Sequence, residues 1–145
     1  MKVLREAFDA GLMNLNIPED YGGRGYGNLE SVIVIEEIAA ACPGLATSMF
    51  DNSLGAAPIL LCANESAKKK YIKKITQEFK LIAFATSEPT MGSDVSGIQC
   101  RAEKEGEDYI LNGTKFWITN GAVADFLTVF ATADPEARHD GICAF

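Results

Sequence analysis

The sequence of 145 residues has little of what several common classes of protein require. Its 13 basic residues face 20 acidic ones, and the formal charge of −7 leaves no basic surface for a nucleic-acid backbone. The longest apolar run, residues 56–63, is too short to span a bilayer and contains Pro58. These absences predict that neither nucleic acid nor a membrane is a partner.

Metal-binding residues are also scarce. His139 is the only histidine, and no two of the four cysteines have the C-x-x-C spacing that is common in zinc sites. Scattered cysteines without a signal peptide are typical of buried thiols in a reducing compartment. We therefore expect no metal site, and a location in the cytoplasm, or in the mitochondrial matrix if the source has mitochondria. The four cysteines are Cys42, Cys62, Cys100 and Cys143.

The residues that are present describe a globular chain with two kinds of periodicity. A hydrophobic fraction of 48% with 23% charged residues is ordinary for a folded protein, and the length suffices for one sizeable core or two small ones. Up to Lys80 the apolar residues repeat at helical spacing, and from Leu81 onward they alternate as in strands. We expect an α-helical domain over residues 1–80 and a partial β domain over residues 81–145.

The first 80 residues predict four helices, over residues 2–11, 29–42, 45–63 and 65–76. Asn28 and Asn64 are the expected N-caps of the second and fourth helices. The second helix has an apolar stripe that we expect to be buried, packed on more than one side, and the third is expected to bend or break near Asn52 and before Pro58. Glycines in residues 16–28 follow no strand and do not form G-x-G-x-x-G, so an irregular connection is predicted there.

The remaining residues predict strands in an antiparallel sheet. Residues 109–111 are expected to pair with residues 115–118 across Asn112-Gly113, because Asn-Gly is a strong signal for a tight hairpin. Further strands are predicted over residues 81–85, 98–103, 126–131 and 141–145. The last of these begins a strand at the end of the chain, so the sheet is expected to be incomplete, with an exposed edge.

One stretch, residues 84–95, has the composition of a binding loop. Its apolar beginning turns abruptly into hydroxyl residues with Pro89 and Gly92. A residue without a Cβ lets the backbone approach a ligand, while Ser87, Ser93 and neighbouring N–H groups are donors for an anionic or heterocyclic ligand. Composition alone favours an ordinary capped turn, which remains the alternative.

A second stretch changes this balance. Residues 112–121 read N-G-T-K-F-W-I-T-N-G, and residues 87–94 read S-E-P-T-M-G-S-D. Together they resemble the acyl-CoA dehydrogenase family, whose patterns are T-E-P-x-x-G-S-D and N-G-x-K-x-W-I-T-N-G. The resemblance extends to residues 17–23 and 52–55, and so covers nearly the whole chain. It implies an all-α N-terminal domain docked on an antiparallel β domain, with a C-terminal helical bundle that these 145 residues lack.

The resemblance also implies an activity. The family oxidises acyl-CoA to trans-2-enoyl-CoA in fatty-acid β-oxidation, uses FAD, and passes electrons to an electron-transfer flavoprotein. Trp117 would pack on the isoalloxazine edge, Thr119 would lie near its N5 atom, and Gly92 and Ser93 would face the pyrophosphate. The complete set implied for FAD is Phe84, Thr86, Ser87, Gly92, Ser93, Trp117, Ile118 and Thr119, and that for acyl-CoA is Ser93, Thr47 and Phe50.

Each of these roles has a structural alternative. Trp117 could be the core of a hairpin, Thr119 a strand hydroxyl and Ser93 a turn cap, while Thr47 and Phe50 could be ordinary core residues. Two departures from the family pattern are the pair Thr90-Met91 in place of two small residues, and Phe84 in place of an aromatic residue that bears a hydroxyl. Met91 is flexible enough to fit beside the ligand, whereas the bulkier pair in a loop that faces phosphate could weaken FAD binding.

The catalytic base is expected outside this chain. In the family it is a carboxylate of the C-terminal helical domain, and Glu88 and Asp94 match positions that shape the loop. The chain alone is therefore expected to be inactive and to self-associate as a homo-oligomer through uncovered apolar surface. A non-catalytic binding or structural remnant and an acyl-CoA oxidase remain open alternatives, and the acyl chain length is not defined.

Overall fold

A computed structural model describes all residues from 1 to 145 and contains four α-helices followed by a five-stranded sheet. Short 3-10 turns connect several elements, at Glu19–Tyr21, Val95–Gly97 and Arg138–Gly141. The predicted fold class, helices first and then a β sheet, is confirmed. The helices are α1 (Lys2–Asp9), α2 (Asn28–Ala41), α3 (Pro43–Cys62) and α4 (Glu65–Gln77), and the strands are β1 (Ile82–Ala85), β2 (Arg101–Glu105), β3 (Asp108–Asn112), β4 (Phe126–Thr132) and β5 (Ile142–Ala144).

Helix α3 is continuous over 20 residues, so the expected bend or break is wrong. Its buried face lies on the sheet: a Cβ added at Gly55 would be 3.1 Å from Ile82 Cγ1, and Thr128 Oγ1 donates a hydrogen bond to the Gly55 carbonyl at 2.7 Å. Pro58 removes one backbone donor near the C-terminal end. These tertiary contacts hold the helix together where local propensity would end it.

Two buried asparagines connect the helices to β1. Asn52 Nδ2 donates to the Lys80 carbonyl at 3.0 Å and to Asn14 Oδ1 at 3.2 Å, while its Oδ1 accepts from the Ile82 N–H at 3.0 Å. Asn14 Nδ2 donates to the Ile75 carbonyl at 2.6 Å. The Asn52 side chain therefore pairs with the Ile82 N–H at the start of β1, while β4 pairs with β1 along its length.

The sheet is mixed, whereas an antiparallel one was expected. Strand β1 pairs with β4 in parallel, and β2 meets β4 in parallel through Arg101 and Thr132. Antiparallel pairs join β2 to β3 and β4 to β5. The order β1-β4-β2-β3 places β1, whose end begins the candidate loop, at one edge of the sheet.

The predicted hairpin across Asn112-Gly113 is also wrong. Strand β3 pairs backward with β2, through a turn that contains Gly106 at φ +62°, and residues 113–125 form no strand. A Cβ added at Gly113 would be 2.7 Å from the Cys100 Cα atom, so this glycine serves a close backbone approach. The charged turn before β3 is the true hairpin turn.

Helix α2 differs most from its predicted burial. Only Ser31 is buried in it, while Leu29 is 71% and Val32 58% exposed. Its N-cap is Gly27 and not Asn28, whereas Asn64 caps α4 as expected, by accepting from the Ala67 N–H at 2.9 Å. Leu29, Val32 and Ile33 thus point away from the rest of this chain, while Ile38 packs against the core cluster that contains Leu4 and Met49.

The expectation of buried thiols holds for Cys100 alone, since the other three cysteines are exposed and all four are free. None of the helices combines the length and the hydropathy that crossing a bilayer requires.

Candidate functional site

The two motif stretches meet at the end of β1. The Phe116 N–H donates to the Ser87 carbonyl at 2.9 Å, and Lys115 Nζ donates to the Thr86 carbonyl at 2.9 Å. Segments that are 29 residues apart in sequence therefore lie side by side. We call residues 84–94 the first loop and residues 115–121 the second loop.

A buried ion pair lies behind the contact between the loops. Lys115 Nζ is 2.9 Å from Glu88 Oε1, and the two side chains are only 12% and 3% exposed. Glu88 also accepts from the Gln99 N–H at 2.7 Å and the Cys100 N–H at 2.9 Å. Burial alone would raise the pKa of Glu88, but these hydrogen bonds outweigh it and lower the pKa. Glu88 is thus an ionised group that shapes the loop.

Trp117 is presented to solvent on a strained backbone. Its side chain is 86% exposed and its φ is +56°, a left-handed conformation that a bulky residue rarely adopts. The Phe116 ring supports it edge-on, with ring centroids 4.6 Å apart. The alternative of a hairpin-core tryptophan is therefore wrong, and one flat face of the indole is available to a ligand.

Asn120 lies near the C-terminal end of the second loop. It is also left-handed, at φ +57°, and its Nδ2 donates to the Ser48 carbonyl of α3 at 2.8 Å. The second loop is therefore attached at both ends, to the first loop through Lys115 and to α3 through Asn120.

Both loops present backbone donors without partners in the chain. In the first loop, the N–H groups of Gly92, Ser93 and Asp94 donate to no acceptor of the protein, and a Cβ added at Gly92 would meet nothing within 4 Å. The Asp94 carboxylate accepts from the Ser96 hydroxyl. In the second loop the same backbone groups are unpaired at Trp117, Ile118 and Thr119.

Three side chains of the first loop point inward. Phe84 packs on Phe130, with ring centroids 5.0 Å apart, and the Thr86 hydroxyl is buried without a hydrogen-bond partner. Met91 is 7% exposed and packs in a cluster with Ile98, Cys100, Ala102 and Ala131. The expectation that Met91 lies beside a ligand is wrong, because it belongs to the core beneath the loop.

Thr47 and Phe50 lie on α3 at the edge of this region. Both are exposed, and Thr47 Oγ1 donates to the Pro43 carbonyl of its own helix at 2.9 Å. Their exposure removes the alternative that they are ordinary core residues of this chain. The Asn120 hydrogen bond ends on Ser48, the neighbour of Thr47, and so links this part of α3 to the second loop.

Sequence reasoning did not single out one buried acidic residue of α3. Asp51 of α3 is 4% exposed, and its Oδ2 has no hydrogen-bond partner. Burial raises its pKa to about 6, and the nearby Phe84 N–H offsets only part of that effect. The available signal was that Asp51 is the single charged residue between Pro43 and Cys62.

Two family models match consecutive parts of the chain. The model of the acyl-CoA dehydrogenase N-terminal domain matches residues 1–78, and that of the acyl-CoA dehydrogenase middle domain matches residues 83–145. A probable medium-chain specific acyl-CoA dehydrogenase of Caenorhabditis briggsae mitochondria is 39% identical over 137 residues. That match covers 94% of this chain but 34% of the relative, so the chain spans about a third of the relative's length.

Two solved structures are similar throughout the chain. Butyryl-CoA dehydrogenase from Megasphaera elsdenii superposes with a TM-score of 0.90 at 36% identity, over 99% of this chain and 38% of that one. An acyl-CoA dehydrogenase complexed with FAD from Bacillus anthracis gives a TM-score of 0.85 at 38% identity, over 99% of this chain and 25% of that one.

Proposed function

Because this chain belongs to the acyl-CoA dehydrogenase family, we propose that it forms the N-terminal and middle part of an FAD-dependent enzyme that oxidises acyl-CoA to trans-2-enoyl-CoA in fatty-acid β-oxidation. The observation that carries the proposal is the exposed, left-handed Trp117 beside two sets of free backbone donors. Under this proposal the helical domain covers residues 1–80 and the β domain residues 81–145.

The residues present fit FAD. The cofactor combines a flat heterocycle with a pyrophosphate, and the two loops offer one partner for each. Trp117 has an open aromatic face, and the N–H groups next to it can donate to the oxygen and nitrogen acceptors of the ring. The free N–H groups from Gly92 to Asp94 form an anion-binding backbone segment, where the missing Cβ leaves room for phosphate oxygens.

We assign the cofactor contacts to eight residues in two groups. Thr86 and Ser87 meet the ring from the first loop, and Gly92 and Ser93 meet the pyrophosphate. Trp117, Ile118 and Thr119 meet the ring from the second loop, with the Thr119 hydroxyl near its reactive nitrogen. Phe84, the eighth residue, belongs to the site as a support, because it lies in the strand that leads to Thr86 and its ring packs on Phe130.

The substrate is proposed to lie between the second loop and α3. Thr47 and Phe50 would line the acyl group and Ser93 would contact the CoA part. All three side chains are exposed, and Thr47 adjoins Ser48, whose carbonyl accepts from Asn120 of the second loop. When bound, FAD supplies the two-electron oxidant that accepts hydride from the β carbon. The contribution of this chain is to position both molecules and to exclude water from one face of the ring.

Neither acidic residue of the first loop is a suitable base for the α proton. Glu88 is buried and accepts three hydrogen bonds, from Lys115, Gln99 and Cys100. Asp94 is exposed and accepts from the Ser96 hydroxyl. We therefore propose that the base comes from outside these residues, and that an electron-transfer flavoprotein reoxidises the cofactor. The proposed location is the cytoplasm or the mitochondrial matrix.

Replacing Gly92 tests the cofactor site. A Cβ added at Gly92 has no protein atom within 4 Å, so a Gly92→Val side chain would enter the space assigned to the pyrophosphate. We expect about a tenfold or larger rise in the Kd for FAD, measured by equilibrium dialysis and flavin absorption, with an unchanged thermal unfolding midpoint. Gly44→Val is the matched control, because a Cβ added at Gly44 also meets nothing within 4 Å. Adding a short acyl-CoA to the wild-type chain with bound FAD should perturb the absorption spectrum of the flavin.

The proposal fails if the wild-type chain retains no flavin, or if Gly92→Val and Gly44→Val bind FAD equally well. A bound flavin whose spectrum ignores every acyl-CoA would contradict the substrate assignment while leaving the cofactor assignment in place.

A further inference from the structure

The second loop holds Trp117 in a conformation that the chain would not adopt by itself. A left-handed backbone is unfavourable for an aromatic residue, and 86% exposure means that the indole gains little from burial. Such a conformation persists only when the surrounding structure determines it. The contacts at the two ends of the loop are therefore the groups that keep Trp117 in place.

Lys115 is the contact at the first end. Its ammonium donates to the Thr86 carbonyl and to Glu88, both at 2.9 Å, and the side chain is 12% exposed. Charge-assisted hydrogen bonds of this kind are the strong ones in proteins, and here the donor comes from the residue two positions before Trp117. The same ammonium thus determines where the second loop lies and how the Thr86 peptide group is oriented.

Asn120 is the contact at the other end. Asparagine tolerates the left-handed region better than most residues, and the amide donates to the Ser48 carbonyl at 2.8 Å. Between Lys115 and Asn120, the N–H groups of Trp117, Ile118 and Thr119 make no bond inside the protein. The loop is fixed at its ends and unpaired in the middle.

We propose that Lys115 and Asn120 are positioning residues that hold Trp117 in place before FAD arrives, so that the flavin binds a preformed site. This inference rests on the proposed function for its ligand, but the preformed state exists without ligand. Preorganisation of this kind raises affinity because binding need not order the loop. Glu88 then has a secondary role, as the counter-charge that keeps Lys115 ionised when buried.

The experiment uses Trp117 as its own probe, since it is the only tryptophan of the chain. The double variant Glu88→Gln/Lys115→Met, which leaves no unpaired buried charge, is compared with the wild type and with Glu88→Gln, in which Lys115 loses its counter-charge but keeps the Thr86 carbonyl as an acceptor. Without FAD, we expect the double variant to show lower Trp117 fluorescence anisotropy than the wild type and Glu88→Gln. With FAD, we expect its Kd to be about tenfold higher, which corresponds to the loss of one charged hydrogen bond.

Two further variants make the result specific. Lys104→Met removes an exposed lysine of β2 and should change neither anisotropy nor Kd. Asn120→Asp keeps a residue that tolerates the left-handed backbone but removes the donor to Ser48, and it should repeat the loss of anisotropy. If the double variant does not fold by far-UV circular dichroism, Asn120→Asp carries the test with the same readout.

Wild-type anisotropy in both the double variant and Asn120→Asp would overturn the inference, because the loop would then keep its shape without these contacts. A wild-type chain that binds no FAD, yet loses anisotropy as expected in the variants, would reject the proposed function and leave the positioning role standing.

Discussion

At the residue scale, Glu88 and Asp51 show how partners decide the state of a buried carboxylate. Both side chains are nearly inaccessible, yet Glu88 accepts three hydrogen bonds and Asp51 leaves one oxygen without any. The pKa is lowered in the first and raised to about 6 in the second. A sequence shows that a residue is acidic but not how many donors the fold brings to it, so neither state was predictable.

Asp51 should make the stability of the chain depend on pH. Its pKa rises from 3.8 in the unfolded chain to about 6 in the folded one. The stability that the protonated carboxyl contributes is therefore complete below pH 3.8 and is lost as pH rises through about 6. Two pKa units correspond to about 3 kcal/mol. We expect Asp51→Asn to be more stable than the wild type at neutral pH, by an amount that shrinks toward about pH 4, measured by urea unfolding across this range.

The matched control for this titration is Asp9→Asn, at an exposed position in α1. Its stability difference from the wild type should vary much less with pH. A difference between Asp51→Asn and the wild type that stayed constant from acid to neutral pH would show that Asp51 has an ordinary pKa in the folded state.

At the element scale, local sequence signals predicted an element correctly where residues within one turn determine it. They failed where contacts between residues distant in sequence determine it. The cap at Asn64 and the length of α4 follow from residues within one turn. By contrast, Asn112-Gly113 has the composition of a hairpin turn, but no hairpin forms there. The Gly113 backbone packs closely against Cys100, and the residues that follow it contact the first loop. Helix α3 passes through Pro58 because β1 and β4 pack against it.

Helix α2 is the element whose surface predicts association. Leu29, Val32 and Ile33 are 71%, 58% and 55% exposed on this helix. Exposed apolar surface of this extent marks an interaction site, so we expect the purified chain to be larger than a monomer. Light scattering after size-exclusion chromatography should show the mass of Val32→Lys/Ile33→Lys falling to that of a single chain.

Leu61→Lys provides the comparison for α2, since Leu61 is 81% exposed on α3. It should leave the association of the chain unchanged. A wild-type chain that elutes as a clean monomer would contradict the expected self-association, which itself remains a proposal.

At the scale of the whole molecule, the order of helices and strands was predictable and the pairing of strands was not. The hydrophobic period changes near residue 80 because a helix and a strand bury different sets of residues. That change can be seen in the order of apolar residues alone. The parallel pairing of β1 with β4 depends on contacts between segments that are far apart in sequence. Asn52 of α3 binds the backbone of Lys80 and Ile82, while β4 pairs with β1. The two loops were found because their motifs are long, whereas their joining by Lys115 required the three-dimensional arrangement.

The central claim is that FAD binds against Trp117 between the two loops, and a fluorescence titration of the single tryptophan tests it most directly. We predict saturable quenching by FAD with one flavin bound per chain, because a ring stacked on the exposed indole quenches it. Quenching that rises linearly with FAD, as for a free tryptophan derivative in solution, would contradict the account.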